Sequence, residues 1–151
     1  MVKTGLEQPY RGGFAGGEHL FALRIYFEDT DLSGIVYHAN YLRFMERARS
    51  DMLMALGINQ RAAVEAGEGA YAIADLQIRY RRPAKLDDAL LVRSRVVEIR
   101  AAATVIEQRI ERDGELLAEA RVTAALIAPD GRPKRQPRQW IEAFERLRET
   151  A

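Results

Sequence analysis

The chain has 151 residues, 48% of them hydrophobic, which is enough for one compact domain with a buried core and makes a second domain unexpected. It contains no cysteine, so a disulfide framework, a thiolate nucleophile and a cysteine-ligated metal site are all excluded. Its 23 lysines and arginines nearly cancel 22 aspartates and glutamates, leaving a formal charge of +1, which argues against nucleic-acid binding by overall charge.

The first 18 residues carry Gly5, Gly12, Gly13, Gly16 and Gly17, and this density of glycine predicts a flexible tail without regular structure (1-18), with the folded domain at 19-151. No continuous apolar stretch reaches the length of a signal peptide core or a transmembrane span, and a cytoplasmic location is expected. From Leu20 to Phe27 the residues Phe21, Leu23, Ile25 and Phe27 alternate with others, as a half-buried strand requires. Acidic and small residues then interrupt the pattern. Tyr41, Met45, Ala48, Met52 and Ala55 follow at helical spacing, and Gly57 offers a stop. This helix reads as apolar almost all round.

Beyond Gly69 alternation returns, first around Leu76, Ile78 and Tyr80, and then, after a loop at Pro83, from Leu90 to Val97. Thr104 to Arg112 and Glu115 to Ala128 flank Asp113-Gly114, a dipeptide suited to a tight hairpin turn. Trp140, Ile141, Phe144 and Leu147 mark one side of a short amphipathic helix near the end. The expectation is an α+β domain in which a five-stranded antiparallel sheet wraps around one long helix.

The chemistry-bearing residues crowd the junction before that helix. The pattern D-x-D-x-x-G-x-V-Y-H-x-N-Y, formed by Asp29, Asp31, Gly34, Val36, Tyr37, His38, Asn40 and Tyr41, resembles the 4-hydroxybenzoyl-CoA thioesterase-like hot-dog family. Among its branches the chain is most similar to the Tol-Pal-associated acyl-CoA thioesterases, through the same pattern together with ERAR (Glu46 to Arg49), RRPAKLDD (Arg81 to Asp88) and PDGRPKRQP (Pro129 to Pro137). The resemblance implies a single hot-dog domain that hydrolyses an acyl-CoA thioester, with coenzyme A as part of the substrate and no separate cofactor. It places the catalytic aspartate on Asp31 and sets His38 at the helix start, where its backbone N–H faces the thioester carbonyl. Gly34, Val36, Tyr37 and Asn40 then fall on the substrate.

These assignments make chemical sense. Charge develops on the carbonyl oxygen during attack, and unpaired N–H groups at a helix N-terminus are fixed donors for it. Asp31 is suited either to direct attack or to activating water, and Glu28 and Asp29, if near enough, would raise its pKa and favour the water route. The His38 ring is a second catalytic candidate, able to orient water or accept a proton. His19 reads as incidental. Two histidines give no recognisable ligand set, so no metal is expected.

Glu46 is a rival carboxylate and a substrate-binding candidate, its alternative being a helix-surface residue paired with Arg43, Arg47 or Arg49. For the phosphates of coenzyme A the forked arginine side chain is apt; the resemblance points to Arg100, and the clusters Arg81 with Arg82 and Lys134 with Arg135 are the other candidates. The resemblance further implies a homodimer or homotetramer, with envelope-machinery or lipid-synthesis proteins as partners. A non-catalytic CoA- or partner-binding protein of the envelope machinery is the alternative, and the intact Asp31, Gly34 and His38 speak against it. Nucleic-acid binding through the Arg132 to Arg138 run is disfavoured by the missing aromatic residues.

Overall fold

The computed structural model describes residues 4–150. Six strands form one antiparallel sheet: β1 (Gly13–Ala15), β2 (Glu18–Arg24), β3 (Ala70–Tyr80), β4 (Ala89–Ile99), β5 (Ala103–Arg112) and β6 (Glu115–Ile127), in the order β1-β2-β4-β5-β6-β3. Three α-helices accompany it: α1 (His38–Ala55), α2 (Gln60–Glu65) and α3 (Arg138–Glu149).

The expected α+β architecture is present, with two corrections. The sheet has six strands, not five. The sixth, β1, lies in the glycine-rich segment read as unable to hold regular structure. Gly16 and Gly17, at φ of 58° and 80°, supply the two positive backbone angles of a tight turn that folds β1 back onto β2. Tertiary contacts hold this arm. The Tyr10 hydroxyl accepts from the Ala22 N–H at 3.0 Å, and Asp51 of α1 accepts from the Gly12 N–H at 2.9 Å. Asp51 also meets the fully buried His19 ring at 2.7 Å, so His19 is far from incidental.

The second correction concerns α1, which is not apolar all round. Tyr41, Phe44, Met45, Ala48 and Met52 are buried, but Arg43, Glu46 and Arg47 make an exposed polar face within this chain. The buried face packs against the sheet in two clusters. Phe21, Val92, Ile110, Leu117 and Val122 surround its first half, while Ile106, Leu126, Trp140 and Phe144 receive Met52 and Leu53 near its end.

Other elements follow local chemistry. Asp113 and Gly114, at φ of 50° and 81°, make the β5–β6 hairpin. Strand β2 stops before Phe27, because the chain enters a 3-10 turn at Phe27–Asp29 in which the Asp29 carboxylate accepts from the Tyr26 N–H. Phe27 is consequently exposed. Strand β3 closes one side of the sheet, with only β6 as neighbour. No helix among the described residues is long and apolar enough to cross a membrane.

Candidate active site

The loop between β2 and α1 is a rigid platform. The Asp29 carboxylate is buried and takes two hydrogen bonds, from the Tyr26 N–H at 2.8 Å and the Asn40 side-chain amide at 2.9 Å, while its carbonyl accepts from the Tyr37 N–H at 2.9 Å. One residue thereby ties the loop's entrance, its exit and the first turn of α1 together. Val36 is buried in the core and donates its N–H to the Ala84 carbonyl at 2.9 Å. The Tyr41 hydroxyl accepts from the Ala84 N–H at 2.9 Å. The Arg81–Asp88 segment is therefore the floor on which the loop rests.

Asp31 stands clear of this framework. It is exposed, at the start of a turn closed by the Gly34 N–H to the Asp31 carbonyl at 3.0 Å. Gly34 has φ of 82°, a conformation in which any other residue would be strained. The Asp31 carboxylate accepts from both the hydroxyl and the backbone N–H of Ser33, the latter at 2.8 Å. These two bonds, helped by the field of His38, hold its carboxyl below the usual aspartate range. The expectation that Glu28 and Asp29 would raise it is thus overturned: the Asp29 side chain is turned inward onto Tyr26 and Asn40, and Ser33 dominates.

His38 is the first residue of α1 and is exposed. Its ring lies between those of Tyr37 and Tyr80, with centroids at 4.7 and 6.3 Å, and the Tyr80 hydroxyl donates to its carbonyl at 2.9 Å. In the first turn the Asn40 N–H is taken by the Tyr37 carbonyl. Among the described residues no acceptor takes the N–H of His38 or Ala39, the normal condition of a helix start. Exposed Asp31, Gly34, Tyr37 and His38 therefore share one surface with unpaired donors, whereas Val36 and Asn40 lie beneath it.

Glu46 is two turns further on, about 12 Å along the axis from His38 at 1.5 Å per residue. Among the described residues it has no ion pair with Arg43, Arg47 or Arg49. Instead it lines a cavity of about 180 Å³ with Arg49, Ser50 and Tyr71.

The proposed phosphate partners fall into two groups. Arg81 and Arg82 adjoin the loop's floor and already pair with Glu119 at 2.9 Å and Glu115 at 3.6 Å. Arg100 sits in the β4–β5 turn, forked onto Glu98 with two bonds of 3.0 Å. Lys134 and Arg135 run beside that turn, since the Gln136 amide donates to the Arg100 carbonyl at 2.9 Å. The length of β5 separates the two groups, about 30 Å at strand rise, so a single chain does not bring them together.

From sequence Tyr80 reads only as a strand residue, while Asp29 and Arg49 read only as a charged neighbour of Asp31 and a partner for Glu46. The pattern contained Asp29, but alternation cannot tell an inward carboxylate from an outward one two residues on. Arg43 and Arg47 were read only as partners for Glu46, yet they line a cavity of about 110 Å³ with Glu28, Asp29 and Asn40. Their spacing of four residues was the available signal.

Comparison with known proteins agrees with this architecture. Residues 25–144 match the model of the thioesterase-like superfamily. The chain belongs to this hot-dog family and is an enzyme of its thioester-hydrolase class. It is 39% identical to the acyl-CoA thioesterase YbgC of Haemophilus influenzae over 85% of this chain and 95% of that one. Against the acyl-CoA thioester hydrolase YbgC of Escherichia coli O6:H1 the identity is 35%, over 82% and 92%. A Bartonella henselae structure described as a probable thioesterase superposes with a TM-score of 0.76 at 37% identity, covering 80% of this chain and 99% of that one.

Proposed function

We propose that the chain hydrolyses an acyl-CoA thioester to the free acid and coenzyme A, using Asp31 and the N-terminal donors of α1. The observation that carries this reading is an exposed carboxylate held ionised by Ser33, on the same surface as the unpaired N–H groups that open α1. The donors would take the carbonyl oxygen as its charge grows. Two routes balance. Either an Asp31 oxygen adds to the carbonyl carbon, coenzyme A leaves as thiolate and water cleaves the resulting anhydride, or Asp31 takes a proton from water as the hydroxide adds. In the second route the tetrahedral intermediate then collapses, breaking the C–S bond and releasing coenzyme A as thiolate, which takes up that proton. His38, framed by two tyrosine rings, would orient the attacking water, and Gly34 and Tyr37 would border the acyl group.

A shared site between two copies goes with this reading, because the two basic groups are too far apart in one chain and β3 offers an uncovered edge for pairing. Homodimer or homotetramer assembly, a cytoplasmic setting, and envelope-machinery or lipid-synthesis partners are the accompanying expectations from the family resemblance. The test is thiol release from acyl-CoAs of different chain lengths by the wild type, Asp31→Asn and Glu46→Gln. Near-normal turnover by Asp31→Asn with a dead, well-folded Glu46→Gln would move the chemistry to the helix.

A further inference from the structure

The reach of Tyr80 extends beyond its own strand. Alternation along β3 puts it on the same face as Leu76 and Ile78, which pack against the cluster that holds Tyr41, Phe44 and Met45 of α1. Tyr80 is the last residue of β3, paired opposite Ala118, and the N–H that follows, of Arg81, is fixed on the Leu117 carbonyl at 2.7 Å. The end of the strand thereby brings a phenol to the start of the helix. Its ring meets that of the buried Tyr41 edge-on at 5.4 Å, and its hydroxyl donates to the His38 carbonyl at 2.9 Å. A carbonyl oxygen has two lone pairs, so this bond adds to the helix ladder without displacing it.

That carbonyl belongs to the peptide group whose other end is the Ala39 N–H, one of the two donors at the helix start that no acceptor among the described residues takes. A hydrogen bond accepted at an amide oxygen draws electron density from the amide nitrogen, and the N–H becomes a stronger donor. Bonds in such a chain strengthen one another by about 10–30% each. Here the chain runs from the Tyr80 hydroxyl through the peptide to whatever the Ala39 N–H faces. Desolvation raises the Tyr80 pKa above the ordinary 10.0, which keeps the hydroxyl a donor throughout the neutral range.

We propose that Tyr80 is a positioning residue for thioester hydrolysis, its hydroxyl fixing and polarising the His38–Ala39 peptide so that the Ala39 N–H meets the growing oxyanion, a role that rests on the hydrolysis reading above. Tyr80 keeps its proton throughout, and no covalent bond to it forms or breaks. Losing a whole oxyanion donor costs about 10²–10³-fold in kcat, and 10–30% of that exponent is about 2- to 8-fold.

Tyr80→Phe keeps both ring contacts and removes only the hydroxyl. In thiol-release assays against wild type, its kcat is expected to fall about 2- to 8-fold with KM unchanged, the pattern of a bond that strengthens only in the transition state. NMR of the free protein should show the Ala39 amide proton shifted upfield in the variant. Fluorotyrosine in place of Tyr80 is a more acidic phenol and a stronger donor, so at a pH where it keeps its proton kcat should rise above the wild-type value. A merely structural hydroxyl would not respond to acidity, and this protein decides the matter alone should Tyr80→Phe not fold. Unchanged turnover by Tyr80→Phe, a loss carried by KM alone, an unmoved Ala39 amide, or a fluorotyrosine protein no faster than wild type would each overturn the proposal and leave the hydrolysis reading in place. Wild-type protein that releases no thiol from any acyl-CoA would overturn both.

Discussion

Asp29 and Asp31 are two residues apart and chemically alike, yet their surroundings predict opposite consequences of removal. Asp29→Ala deletes an acceptor that serves the Tyr26 N–H and the Asn40 amide. Hydrogen bonds to a charged group contribute about 1.5–3 kcal/mol each. The Tyr26 N–H is partly buried and regains water, whereas the buried Asn40 amide is stranded, so the expected net loss is about 3 kcal/mol. In a chain of this size each kcal/mol moves Tm by about 2–4 °C, giving a fall of about 6–12 °C in a calorimetric melt. Asp31→Asn should behave in the reverse way. Its carboxylate is exposed and bonds only within its own turn, so stability should stay within about 0.5 kcal/mol. Its kcat should fall at least about 10²-fold with substrate binding largely kept. Measured on the same two samples, a normal melting curve for Asp29→Ala, or an Asp31→Asn protein that melts early and still turns over, would refute this division of labour.

The pH dependence of kcat/KM should follow Asp31. Its pKa lies below the ordinary 3.8, so activity should persist as pH falls toward that value wherever circular dichroism shows the fold intact, and Ser33→Ala should move the acid limb upward. His19 gives a stability signature of defined sign. Burial lowers its folded-state pKa from 6.5, so the unfolded chain takes up the proton first, and stability is full above 6.5 and declines as pH drops from there toward the folded value. His19→Gln should flatten that slope in melts between pH 7 and 5; an unchanged slope would assign it to another group. Hydrolysis should survive EDTA, since the proposed electrophile-stabilising groups are backbone donors; a rate lost on chelation and restored by zinc would contradict that. Light scattering at micromolar concentration should show at least a dimer, and a fully active monomer would rule out a shared site.

Much of the framework was legible because its signals are local. Asp113-Gly114 announced its hairpin through backbone angles alone, and the alternation of Leu90 to Val97 marks a strand with one buried face wherever it pairs. The arm at β1 was not legible in the same way. Its strand exists through Tyr10, Gly12, His19 and Asp51, which meet across 12 to 39 residues of sequence, and composition pointed only to freedom. Phe27 continued the alternation of its strand, but Asp29 draws the chain into a turn there. In the site, the pattern gathered the right residues without separating roles. The direction of each side chain depends on Ala84 and Asn40, one of them supplied by a distant loop. That Arg49 bonds Gln108 and not Glu46 could not be read from ERAR, since Glu46 stands three residues before it at helical spacing and the two line one cavity without forming an ion pair.

The strand order also has a consequence for how the chain is made. His19 pairs opposite Ser94, so β2, with only the short β1 beside it, must wait for 75 further residues before its second neighbour exists. At a synthesis rate of about 5–20 residues per second, that is a delay of about 4–15 s on the ribosome. During this interval α1 is completed, and the side chains of Phe44, Met45 and Met52 have only the β1–β2 hairpin in place of the full sheet. The β4–β5–β6 meander, whose neighbours are adjacent in sequence, is the last of the sheet to be made, with only α3 after it, and is the part that can close fastest once made. The nascent chain therefore spends its longest exposed phase with a finished helix and no core. Slower translation before β4 would lengthen the window in which holdase chaperones compete with aggregation.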